Sequence, residues 1–490
     1  MDVFSSRNMR RYWPFLVMAL LFGETFTETP AAIAITLGLA TSFWLVAVIN
    51  LGGFSTLNGI CVAALGVSEM LIPRVAKILY LQSADSRLVN PILYYDVLLV
   101  SCFLLYVISF FFRPTFERNT TENKWIFTED ELKIFTWFGF FWMLFSEAIL
   151  TSNLVSESSQ LAGIITYAST FQYFGFCCAI AYRIRKTNGD SNVNVLILFY
   201  GVFLTMAGVF GFWKEAMLTP SVLYILISII HRFRWRKIHV LFFASFVMMY
   251  VGLISPAAKL GHNWVAANYG LNPTAAVKEL FSDLVENPMF LVEKAYTLDE
   301  QGINSEVEGD YYGHGQNFLV RITTVGVADR LLNYVEKNQF FGTRPMLDAI
   351  SIVPRSFKGE ARFDLGNYLA RKISIIGPDN FNTGIAFSFF STAYAVDGWI
   401  SLLILSCSLI PLFFWINNKY VGPMKNNLVA VAILKLAIPT FMGNSAEYVI
   451  FYATRIIPFQ LLLIYAVRKI LSLMRPAELK DLSSKESISQ

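Results

Sequence analysis

Charge is scarce in this chain: Asp, Glu, Lys and Arg make up 15% of its 490 residues, against 55% hydrophobic residues. A soluble domain carries about 25% charged residues, so a water-exposed surface over the whole chain is excluded. Histidine is scarcer still. His231, His239, His262 and His314 stand too far apart for the paired ligands of a helical metal site, so a His-bound metal is not expected. Mg²⁺ held by Asp or Glu stays open, although the stretch 255–384 has no DxD-type acidic pair. The five cysteines, Cys61, Cys102, Cys177, Cys178 and Cys407, all fall inside apolar runs. They read as small buried hydrophobes, neither a disulfide framework nor a metal set. Also missing are a glycine-rich phosphate loop, a dinucleotide fingerprint, a zinc-protease helix and a serine nucleophile elbow. The commonest soluble-enzyme chemistries are thereby removed, and no cofactor is implied. Met1 to Arg11 is polar and basic, and no small-residue cleavage site follows the first apolar run, so no cleavable signal is expected.

What the chain has in abundance is apolar sequence, with a mean hydropathy of +0.51. A spanning helix uses about 20 apolar residues, and about twelve such stretches can be placed. They lie near 13–27, 30–50, 54–73, 91–112, 134–152, 160–182, 194–211, 216–231, 238–254, 385–416, 426–443 and 452–471. The first is short and holds Glu24. The tenth is long enough for its first turns, around Phe387 to Asp397, to lie at the interface or re-enter. The expected fold is an all-α integral membrane protein. Residues 1–254 form an N-terminal membrane part of about nine spans, 255–384 one large helical extracytoplasmic loop, 385–471 three further spans, and 472–490 a cytoplasmic tail.

Lys and Arg gather on the cytoplasmic side of membrane proteins. Arg7, Arg10 and Arg11 put the N-terminus there, and the loops 113–133, 183–193, 232–237 and 417–425 agree, as does the tail with Lys480 and Lys485. The net charge of +4 therefore reflects topology and does not point to nucleic acid. One segment disagrees: Arg74, Lys77 and Arg87 fall outside, which fits an interfacial helix. On this topology the large loop lies on the outer face.

That loop holds twelve Lys/Arg. Its first part, Ser255 to Asp310, has three lysines against nine acids and an amphipathic helix over Ala275 to Leu298; its second, Tyr311 to Lys372, has nine basic residues against five acids. The pattern predicts helices at Gly326 to Asn338, with Val327, Leu331, Leu332 and Val335 on one face, and at Pro345 to Ile352. Arg321, Arg330, Arg344, Arg355, Arg362 and Arg371 all lie here. Guanidinium matches phosphate oxygens with a rigid donor fork and stays charged, so the loop points to an anion at the membrane face. Charged residues also collect at the outer ends of spans: Glu147, Lys214, Glu215, Asp397, Glu447 and Arg455. His314, in Tyr311-Tyr-Gly-His-Gly, and Glu215 or Asp310 are the candidate proton carriers. Tyr311, Tyr312 and Tyr368 could stack on sugar rings.

The run Phe341-Gly-Thr-Arg-Pro-Met-Leu-Asp-Ala-Ile-Ser-Ile-Val-Pro-Arg-Ser-Phe-Lys resembles the oligosaccharide repeat-unit (O-antigen, Wzy-type) polymerases. There a Gly opens an amphipathic helix, followed by hydrophobic-Pro-Arg and a Lys. An earlier Arg, as in Asn317-Phe-Leu-Val-Arg321, and a later Thr-Gly/Ser-rich re-entry, as in Asn382-Thr-Gly through Tyr394-Ala-Val-Asp-Gly-Trp399, complete the likeness over about 310–470. Family members usually carry Pro after that Lys, whereas this chain has Lys358-Gly359. The resemblance implies a fold similar to the multi-span transferases that use lipid-phosphate donors. It implies a bacterial inner-membrane enzyme joining polyprenyl-diphosphate-linked oligosaccharides, with membrane lipid and a chain-length regulator as partners. Arg321 and Arg355 are then the leading catalytic cations, Lys214 the third, and Lys358, Arg344, Tyr311 and Arg455 bind substrate. An O-antigen ligase of the same architecture and a lipid-linked glycan flippase or transporter are the alternatives. A transporter fits less well, because it usually shows an internal repeat and midplane charges.

Overall fold

The computed structural model describes residues 6–114, 125–151, 168, 171–210, 214–235, 311, 323–350, 364–378, 385–424, 427–442 and 445–474. Every named element among them is helical, and the one backbone bridge outside helices pairs Thr56 with Pro423. The helices are α1 (Ser6–Thr25), α2 (Ala31–Asn50), α3 (Leu57–Leu79, with a π turn at Val67–Leu71), α4 (Pro91–Phe111), α5 (Glu129–Thr151), α6 (Phe171–Lys186), α7 (Val195–Phe210) and α8 (Lys214–Ile230). Further along the chain come α9 (Val325–Lys337), α10 (Arg344–Ile350), α11 (Leu365–Lys372), α12 (Phe389–Ile416, running on through a π turn at Asn417–Val421) and α13 (Leu428–Met442). Glu447–Phe451, Tyr452–Ile456 and Ile457–Met474 form one last helix, α14.

A helix lies over each expected apolar stretch except 238–254, which is outside the described residues; over 160–182 it covers the later part, starting at Phe171. Five helices are long and apolar enough to cross a membrane: Ala31–Asn50, Leu57–Leu79, Pro91–Phe111, Phe389–Val421 and Glu447–Ile470. This is the make-up of an all-α membrane protein. Starts are set locally. Thr56 accepts from the Gly59 amide (3.0 Å) ahead of α3, Asn90 caps α4 just before Pro91, and Asp364 accepts from Asn367 N (2.8 Å) ahead of α11. Between α5 and α6 the backbones meet at Gly139 and Gly175, where a Cβ on either would lie 2.7 Å from the other's Cα, the small-residue contact by which membrane helices pack. Cys61, Cys102, Cys177 and Cys178 are buried and unbridged, as hydrophobes are; Cys407 departs from that expectation and is exposed on α12.

Hydrogen bonds define two ends. At one, Asn50 bonds Ser109, Met424 N bonds Ser55 O, Asn58 bonds Asn418 and the Phe414 carbonyl, Trp125 bonds Tyr420 O, Arg185 bonds Phe127 O and Arg468 bonds Ile126 O. This rim holds Arg113, Arg183, Arg185, Lys186, Lys419 and Arg468. α1 to α4 alternate in direction, and at the opposite end α9 meets the start of α4. There Asp329 accepts from Val89 N (2.6 Å) and Asn90 N (2.9 Å), closing the start of α4. The pattern prediction for this segment holds: α9 covers Gly326 to Asn338 within a residue, with Leu331, Leu332 and Val335 buried, and α10 begins at Arg344. The expected helix at Ala275 to Leu298 lies outside the described residues.

Candidate functional site

α3 carries three charged residues that the bundle encloses. Arg74 and Glu24 are each 2% exposed; Arg74 Nε donates to Glu24 Oε1 (2.6 Å) and Nη1 to Thr41 Oγ1 (2.6 Å). One turn on, Lys77 Nζ donates to Gln82 Oε1 (3.0 Å), Ser86 O (3.1 Å) and Ser86 Oγ (2.8 Å), and sits 4.2 Å from the centroid of the Tyr311 ring. The interfacial-helix expectation for this stretch is therefore corrected: the two cations turn inward because acceptors meet them there, and only Arg87, in the following loop, is exposed.

Glu69 lies in the π turn, a feature that helices often show at functional positions. Its carboxylate accepts from Tyr94 OH (3.2 Å) and from the Thr324 hydroxyl, which opens α9. Beside it is a cavity of about 20 Å³ lined also by Trp44, Leu105, Leu332, Ser388 and Ser391. That is room for one water, not for a sugar or a lipid head. Asp329 is the next carboxylate along. Burial pushes its pKa up against the pull of the Val89 and Asn90 amides, and the net direction is upward.

α12 is not one straight rod. Asp397 (φ −159, ψ 41) and Gly398 (φ 65, ψ −140) break it, and a Cβ at Gly398 would meet the Phe340 ring at 3.0 Å. In a straight helix Phe389 and Phe413 would lie roughly 36 Å apart, yet Phe441 stacks on both, at 6.5 and 5.1 Å between centroids. The first turns therefore fold back beside the rest, in line with the expectation that they do not continue the span. The break frees carbonyls, and Phe341 N and Gly342 N take those of Ala395 (3.0 Å) and Val396 (2.9 Å), while Ser401 Oγ accepts from Asp397 N (2.8 Å). Phe340, Tyr394 and Trp399 stack edge-on around the turn beside exposed Asp397 and Glu336.

Of the residues singled out from sequence, Arg321, His314, Arg355 and Lys358 lie outside the described residues, as do Asp310, Tyr312 and Arg362. Arg344 is exposed at the first position of α10. Tyr311 is corrected as a sugar platform: it is buried, its hydroxyl donates to Ala84 O (2.8 Å), and its ring face is taken by the Lys77 ammonium. Arg455 is half-buried in the π turn of α14, 4.6 Å from the Phe451 centroid. Lys214 and Glu215 open α8. Arg330 adjoins Asp329 on α9, and Arg371 Nε donates to Asn367 Oδ1 (2.9 Å).

Two residues escaped sequence reasoning. Glu69 sits in an apolar run where a single acid reads as an interruption, and Lys435 does the same in α13. Lys435 is half-buried, its ammonium 3.6 Å from the centroid of buried Tyr173. A lone cation at the centre of a membrane helix costs about 2.5–3.5 kcal/mol, and a cation–π contact returns about 0.5–2 kcal/mol. The usable signal was the charge itself in the middle of an apolar span. No family model, curated protein or solved structure matches the chain, so its chemistry rests on the residues themselves.

Proposed function

We propose that this protein is a membrane glycosyltransferase that joins polyprenyl-diphosphate-linked oligosaccharide repeat units outside the cytoplasm, making an O-antigen or related surface polysaccharide. One observation carries the reading. α9, which carries Arg330, is held through Asp329 against the start of α4, remote from the Arg/Lys rim. With that rim in the cytoplasm under the positive-inside rule, α9 would stand on the outer face, and the proposal puts the neighbouring arginines there too, where a lipid diphosphate would be met. The broken α12 supports it too, since irregular backbone at membrane depth is tolerated where protein or a water-filled cavity surrounds it.

In the proposed reaction a hydroxyl of the acceptor unit attacks the anomeric carbon of the donor glycan, and the lipid diphosphate leaves with the bonding electrons. Charge grows on the departing oxygens, so cations aimed there lower the barrier. Arg321 and Arg355 are assigned that role, with Lys214 and Lys358 beside them; Glu215, His314 or Asp310 takes the hydroxyl proton. About twelve spans and cytoplasmic termini complete the picture, in a bacterial inner membrane. Deleting the gene is expected to collapse the surface-polysaccharide ladder to single repeat units on a gel. Arg355→Ala, expressed at wild-type level, should do nearly the same, since losing one such donor costs about 10²- to 10³-fold in rate. Long chains stranded on the lipid carrier would instead indicate a ligase, and a normal ladder from Arg355→Ala would remove the assignment.

A further inference from the structure

Lys435 is the one charged residue of α13. About seven residues, roughly 10 Å of helix, separate it from either end, farther than a lysine stem reaches to snorkel out. The ammonium instead turns inward onto the Tyr173 ring, and no carboxylate stands within ion-pair distance of it among the described residues. As derived above, the ring returns less than the buried charge costs.

The start of α8 lies nearby. α13 packs against both α6 and α8. Those two helices run the same way, because their C-terminal ends are bonded through Asn192 to Ser228 (3.0 Å) and Arg234 N to Gly189 O (3.1 Å). Counting back equally from Gly189 and from Arg234 puts Tyr173 level with position 218 of α8. The backbone of Lys214 thus stands about one helical turn from that level, toward the outer end.

We propose that Lys435 is an anion-binding residue, taking a phosphate or diphosphate headgroup where α13 packs against α6, below the start of α8. Tyr173 holds the ammonium in place there, and the anion's oxygens supply the hydrogen-bond acceptors that the apolar helix lacks. The proposal deepens the glycosyl-transfer reading, and the choice of a diphosphate rests on that reading.

The test uses the purified full-length chain in nanodiscs of zwitterionic lipid, with farnesyl diphosphate, inorganic pyrophosphate or phosphatidylglycerol as the probe. Lys435→Met is expected to weaken binding by about 10- to 100-fold, the loss of one charge-assisted hydrogen bond. Lys435→Arg and Tyr173→Phe, which keep the charge and the ring face, should bind within a few-fold of wild type. On the unaltered chain, the bound probe should slow reductive methylation of Lys435, read by mass spectrometry, a measurement that needs no variant to fold. Unchanged affinity in Lys435→Met, or methylation indifferent to every probe, overturns the site. Response to farnesyl diphosphate alone identifies a lipid diphosphate. Equal response to pyrophosphate identifies a free anion, and response only to phosphatidylglycerol keeps the site but breaks its link to glycan transfer. An intact ladder in the deletion strain removes the transferase reading while leaving the binding result standing.

Discussion

Arg74 and Glu24 stand 50 positions apart in the chain and meet at 2.6 Å. Neither is cheap to bury: Glu24 Oε2 and Arg74 Nη2 have no hydrogen-bond partner among the described residues. A buried pair of this kind adds little net stability, yet removing one partner strands a charge at a cost of about 3–5 kcal/mol. Glu24→Leu and Arg74→Met are therefore each expected to lower the thermal unfolding midpoint in detergent by several degrees. The double variant should recover most of the loss, because it leaves no charge behind. Simple addition of the two losses would show that the residues do not act as a pair. This scale was the least legible in the sequence. Glu24 weakened the first span, and Arg74 and Lys77 looked like surface markers, because a one-dimensional reading sees a charge but not the partner another helix brings to it. Tyr311 was misread in the same way: its ring serves a buried ammonium, not a sugar.

The helices themselves were easier to read, since apolar length and caps are local properties. Even the fold-back of α12 was written in the chain, because its apolar run exceeds what one crossing requires and contains Asp397-Gly398. What could not be read is how the break is made tolerable. The Phe341 and Gly342 amides arrive from a segment some fifty residues earlier and take the Ala395 and Val396 carbonyls. Gly398 has φ 65 and ψ −140, a region essentially closed to a residue with a Cβ, at a cost of about 1–3 kcal/mol, and Phe340 fills the space that Cβ would need. Gly398→Ala is expected to lose at least that stability and to loosen the 340–342 loop, seen as faster amide exchange at Phe341 and Gly342. Ser401→Ala, which removes the hydroxyl accepting from Asp397 N, should have the same sign and a smaller size, about 1 kcal/mol. Wild-type exchange in Gly398→Ala would mean that the loop does not depend on the break.

At the scale of the whole molecule the charges are sorted by place. Arg and Lys gather at the hydrogen-bonded rim where α2 and α4 end and α3 and α13 begin, while α9 sits at the far end, against the start of α4. The counting of spans grouped the same basic loops from sequence alone, because each short basic loop votes independently and a few misread charges do not outweigh the rest. The proposed centre gained less from that reading: Arg321 and Arg355 stand out as a motif in the sequence, but both lie outside the described residues. Orientation is the property on which the proposed chemistry turns, since a lipid-linked donor outside the cytoplasm is out of reach of arginines inside it. Asp190, beside Arg234 in an exposed pair at the rim, contributes about 0–1 kcal/mol and can be replaced. Asn338, just past α9, is exposed at the other end. With Cys407→Ser as background, Asn338→Cys in intact spheroplasts should react with a membrane-impermeant maleimide, and Asp190→Cys only after lysis. The reverse pattern would turn the arginine-bearing segment toward the cytoplasm and separate it from any extracytoplasmic glycan.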